Sequence, residues 1–102
     1  MIDLPEVLEH LRAVVAAKGA DYVYPESACF YAINGEPACI VGHVYARLGL
    51  LDKATQDSGA SAWALHESKI TSNGRDFLGN AQRVQDARGT WGEALAAAER
   101  VR

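Results

Sequence analysis

Cys39 and His43 stand four residues apart in the run Cys-Ile-Val-Gly-His. On a helix that spacing brings a thiol and an imidazole to one patch, where both could hold the same metal ion. Cys29 can approach across a turn, and His66 or Asp86 could complete a tetrahedral set, so Cys29, Cys39, His43 and His66 form the candidate zinc site. Strong zinc signatures pair two short chelating spacings, and here only one is present. The same residues could support thiol chemistry. Cys39 near the start of a helix would feel the positive end of the dipole, which lowers a thiol pKa, and His43 or His66 could serve as base. Small papain-like hydrolases place a cysteine in this way but draw the base from a later strand, whereas His66 stands in a weakly patterned segment. An enzyme is therefore the lesser reading. The plainest reading of both cysteines is that they pack as small apolar groups. A disulfide between them is disfavoured by the reducing compartment argued below.

A second polar cluster lies near the C-terminus. Gln82, Gln85 and Asp86, at three- and four-residue steps ahead of Trp91, are the candidate binding residues. Against that stands a plainer role as a hydrogen-bonded brace for the loop before Trp91, since buried polar groups are usually satisfied locally.

The elements that must position these groups can be read from periodicity. Leu4, Val7, Leu8, Leu11, Val14 and Val15 predict a helix over about 4–18, with Asp3 as N-cap, Pro5 in the first turn and Gly19 as stop. Tyr22-Val23-Tyr24 favours a short strand that Pro25 limits. Cys29 to Ile33 is β-prone, and Asn34-Gly35 suits a tight hairpin turn. Pro37 is expected to open a second helix reaching about Leu48 and ended by Gly49. Pro37, Ile40, Val41, Val44 and Leu48 would then face inward while Cys39 and His43 look elsewhere. The stretch from Leu50 to Ile70 is weaker in pattern; Leu50, Leu51, Ala54, Trp63 and Leu65 can cover the core as one or two short helical turns broken by Ser/Gly residues. Phe77, Leu78, Ala81 and Val84 predict a helix from Asp76 to Ala87, interrupted by Gly89. Thr90-Trp91-Gly92-Glu93 matches a capping box that opens a last helix with Trp91, Ala94, Leu95, Ala98 and Val101 inside. Trp63 and Trp91 are expected to anchor the core or an interface, and His10 to lie off the first helix's inner stripe, exposed.

The expectation is an α+β fold, mainly α, with about four helices packed around a short β-hairpin. The 102 residues, 49% hydrophobic and 23% charged, suffice for a single compact domain spanning 1–102 and are too few for two. No apolar run approaches the roughly 20 residues of a membrane span. The opening MIDLPEVLEHLR lacks the basic region of a secretory signal, so a cytoplasmic protein is expected. A net charge of −3 with no clustered Lys/Arg argues against a phosphate-tracking surface. The pair of helices joined through Ala87-Arg88-Gly89 has the outline of a helix-turn-helix. Its second helix carries Glu93 and small residues where base-reading side chains would stand, which argues against nucleic acid.

The pattern Cys29-x-Tyr31, Gly35-x-Pro37-x-Cys39-Ile40-Val41-Gly42-His43-Val44 and Leu48-Gly49, with Gln82-x-x-Gln85-Asp86 and Thr90-Trp91-x-x-Ala94, resembles uncharacterised small proteins of actinobacteria and actinobacteriophages. The resemblance spans roughly residues 22–98 and implies an intracellular actinobacterial or phage setting. It brings no catalytic residue with it. The functional expectation is a non-enzymatic interaction or regulatory protein. It would carry no cofactor and act through helix surfaces on a protein partner, with a homodimer as an easy variant. The alternative is a Cys/His site, zinc-binding or thiol-based, around Cys39 and His43.

Overall fold

A computed structural model describes residues 2–25, 32–33, 36–50 and 69–100. Among them the chain is mainly helical: α1 (Leu4–Lys18), α2 (Ile40–Arg47), α3 (Ser72–Asp86) and α4 (Trp91–Arg100). Two dipeptides, β1 (Ala32–Ile33) and β2 (Glu36–Pro37), run antiparallel with Ala32 opposite Pro37 and Ile33 opposite Glu36. Cys29, Tyr31, Asn34-Gly35, residues 51–68 with Trp63 and His66, and Val101 lie outside the described residues.

The first helix forms as its sequence dictates. Asp3 adopts an extended backbone and its Oδ1 accepts from Leu4 N–H at 2.8 Å, while Val7, Leu8, Leu11, Val14 and Val15 are buried along one face. That face meets α2, α3 and α4, so one core joins all four helices. At the other end of the same layer, Ile2 bridges Ile70 in parallel: Ile2 N–H donates to Lys69 O, and Thr71 N–H donates to Ile2 O. The Thr71 hydroxyl donates to Asp3 Oδ1 at 2.8 Å and its oxygen accepts from Gly74 N–H, so one threonine links the starts of α1 and α3.

Helix α3 begins at Ser72, four residues before the expected Asp76, because Thr71 supplies a cap that hydrophobic periodicity does not reveal. It ends in a Schellman motif: Gly89 N–H donates to Val84 O and Arg88 N–H to Gln85 O. The left-handed position there is held by Arg88 at φ 70°, where glycine is usual.

Three expectations are corrected. Tyr22–Tyr24 forms no strand, because its backbone serves a helix end instead: Tyr22 O accepts from Trp91 N–H. His10 is half-buried, and its Nδ1 accepts from Arg47 Nε at 3.1 Å. The second helix does not start at Pro37. Glu36–Pro37 is strand, and the chain coils only from Ile40, with Cys39 as an extended N-cap. Pro37 therefore stands opposite Ala32 before the helix instead of occupying its first turn. Ile40, Val41 and Val44 are buried as expected, joined by Tyr45; Leu48 is half-buried, and Gly49 at φ 75° takes the left-handed step that ends the helix.

Candidate functional site

The start of α2 is where the chemistry-bearing residues meet. Eight residues are too few for a helix to persist in water alone, so its exposed donors must be satisfied by the fold. Cys39 is fully buried, and its Sγ accepts from Gly42 N–H at 3.4 Å. Ile40 N–H, also buried, donates to Gln85 Oε1 at 2.7 Å from 45 residues away. Gln85 is 1% exposed, the one polar side chain in the core among the described residues, and its Nε2 donates to Asp86 Oδ1 at 3.0 Å. A thiol and an amide thus jointly cap the helix.

The expected patch of Cys39 and His43 does not form. Cys39 turns into the core as a cap, whereas His43, one helical turn on, is half-buried at its edge. His43 Nδ1 lies 3.0 Å from Cys39 O. A carbonyl only accepts, so Nδ1 carries the proton, and Nε2 is left as an acceptor with no partner among the described residues. Burial, reinforced by the charge of Lys18, holds the His43 pKa below its ordinary value, partly offset by the bond to Cys39 O. The ring is neutral at pH 7. Its plane crosses that of Trp91 at 74° with centroids 5.1 Å apart, and Tyr22 crosses Trp91 at 77° and 4.6 Å. Trp91 is fully buried, and its Nε1 has no hydrogen-bond partner among the described residues; the two rings beside it are the weak acceptors at hand.

The second candidate cluster resolves into structural parts. Gln85 and Asp86 form the α2 cap, Trp91 is the centre of the core, and half-buried Gln82 joins no hydrogen bond among the described residues. The brace reading captured the kind of role and missed its target: Gln85 holds the start of α2, not the loop before Trp91. Of the zinc set, Cys29 and His66 lie outside the described residues, and no group of three or more His, Cys, Asp or Glu side chains among the described residues is placed to hold a metal.

What the described residues do form here is a cleft of about 210 Å³ lined by Lys18, Tyr22, Tyr24, Pro25, Glu36, Pro37, Ala38 and His43. The end of α1 and the segment after it make one wall, β2 and the first turn of α2 the other. Lys18 Nζ sits 5.0 Å over the Tyr22 ring. Val23, between the two tyrosines, is 41% exposed, the large hydrophobic left open to solvent among the described residues. The strand-like composition of Tyr22-Val23-Tyr24 conceals this cleft in the sequence; its one local signal is an aromatic pair with Lys18 four residues ahead of Tyr22. No helix among the described residues is long and apolar enough to cross a membrane. The chain matches no protein-family model, no curated protein and no solved structure.

Proposed function

We propose that the protein is a small non-enzymatic recognition module of actinobacterial or phage origin, acting in the cytoplasm on a protein partner. The observation that carries this reading is the cleft between α1 and α2. It combines aromatic walls, one acid, one base and a neutral imidazole, and exposed Val23 stands in sequence between its two tyrosines. The thiol, the buried amide and the imidazole Nδ1 are meanwhile committed to internal hydrogen bonds, which leaves little for bond-making chemistry. The cleft is smaller than the roughly 300–1,000 Å³ usual for cofactor sites and suits one anchoring side chain of a partner. In this reading Asn34-Gly35 closes β1 and β2 into a hairpin that carries Glu36 and Pro37 to the rim.

Photo-crosslinking from position 23 in the native host tests the proposal. It should yield one discrete protein adduct that a probe at exposed position 83 does not give, and Glu36→Lys should diminish it. Absence of any adduct specific to position 23 would sink the reading. So would native mass spectrometry showing a zinc-sized mass lost on chelation, which would favour the Cys39/His43 alternative.

A further inference from the structure

Resting on the recognition reading above, we propose that the cleft seats an arginine side chain presented by the partner. The site already holds a cation of its own, because the Lys18 ammonium lies over the face of Tyr22, the position a cation takes on an aromatic ring. Lys18 is exposed and forms no salt bridge among the described residues, so its stem is free to swing aside. A guanidinium is the better occupant of such a face. It is planar and weakly hydrated, whereas an ammonium is a strongly hydrated point charge.

The polar groups around the cleft agree with a donor-rich guest. Glu36, exposed on β2, offers a carboxylate that no described residue pairs. His43 offers Nε2 as an acceptor because its Nδ1–H is committed to Cys39 O. A guanidinium brings five N–H donors and no acceptor, which matches a carboxylate and an imidazole lone pair. An acidic guest would face both of them unfavourably, with Lys18 as its sole charged partner. The chain's net charge of −3 also favours encounter with a basic surface. The groups around His43 are Lys18 from α1, Tyr22 and Tyr24 from the following segment, Glu36 from β2 and Trp91 from α4. Protonating His43 would remove the acceptor and add a like charge, so arginine binding should weaken as pH falls through the His43 pKa, which burial holds below its ordinary value.

The test is an NMR titration of the full chain with N-acetyl-arginine methylamide. The corresponding glutamate and norleucine amides are the comparison probes. The arginine probe should shift Tyr22, Ala38 and His43 resonances saturably, with a dissociation constant on the order of 1 mM. Lys18→Met should tighten it by about threefold by clearing the Tyr22 face, and Glu36→Gln should weaken it by about threefold. Both positions are exposed, so neither variant endangers folding. The assignment is overturned if arginine gives no saturable shift, if the norleucine probe binds as well, or if the glutamate probe binds with the two variants' effects reversed. Should arginine fail while crosslinks from position 23 persist, the recognition reading stands and the arginine assignment alone falls.

Discussion

The starts of α2 and α4 solve one problem in opposite ways. Each helix begins with N–H groups that have no partner in the preceding turn. At α4 the side-chain cap is local: Glu93 N–H donates to Thr90 Oγ1 at 3.1 Å and Thr90 N–H donates to Glu93 Oε1 at 2.8 Å, a reciprocal pair on the surface, while Trp91 N–H and Gly92 N–H reach Tyr22 O and Ala20 O on a distant segment. At α2 it is a buried thiol beside an amide supplied from α3. A cap made within four residues is visible in sequence, and one made across 45 is not. The difference also separates what can fail: a local exposed cap can be lost with modest damage, whereas removing a remote buried one strands a donor away from water.

The largest expected effect breaks the α2 side of this comparison. Gln85→Leu keeps similar bulk but leaves Ile40 N–H buried without an acceptor, and should cost about 2–3 kcal/mol in denaturant unfolding. A loss below 0.5 kcal/mol would mean that the remote cap does not hold α2. Next comes Gly92→Ala, which probes the long-range part of the α4 start. Gly92 N–H donates to Ala20 O, and a Cβ at position 92 would lie 2.8 Å from that carbonyl oxygen. Despite alanine's better helix propensity, about 2 kcal/mol of destabilisation is expected, read from the shift in the denaturation midpoint. Thr90→Ala removes the local cap alone and should cost about 1 kcal/mol by the same measurement.

Acidification should separate the two starts without mutation. The folded protein holds His43 below its ordinary pKa of 6.5, so near and below that pH the unfolded chain binds more protons than the folded one. Stability linked to the α2 side therefore declines as pH falls from 7 through 6.5 and levels off below the lowered folded value. His43→Gln should flatten that part of the profile. Glu93 is held below its ordinary 4.5 by its hydrogen bonds to Thr90, from the backbone N–H first and the side chain second. Its contribution is present above pH 4.5 and disappears as pH drops through the lower folded value. Thermal melts across pH 3–8 should show the His43 phase first and the Glu93 phase later; a single transition below pH 4.5 would contradict the buried, neutral imidazole.

Legibility followed the same division. Helix α1 runs over 4–18 as its apolar spacing and Asp3 require, and the capping box opens α4 at the expected residue. Ile40, Val41, Val44, Phe77, Leu78, Ala81, Ala94 and Ala98 are inside as their periodicity demands. The errors cluster where a partner comes from elsewhere in the chain. Cys39 was expected to share an outward patch with His43, and Gln85 to serve a nearby loop; each was claimed by the start of α2. Tyr22–Tyr24 has strand-like composition, yet Tyr22 O is taken by Trp91 N–H, a bond that local propensity cannot encode.

Taken alone, the amino-acid order determined four helical stretches, their inward stripes, the stop at Gly49 and the cap at Thr90. All of these depend on side-chain period and on contacts a few residues apart. Only the tertiary arrangement decided that an amide at 85 would cap a backbone at 40, that His43 would be neutral against Trp91, and that Lys18 would lie over Tyr22 beside Glu36. Those outcomes depend on which donors lose water when distant segments pack, and the cost of leaving a donor unpaired is set by that burial rather than by its neighbours in sequence.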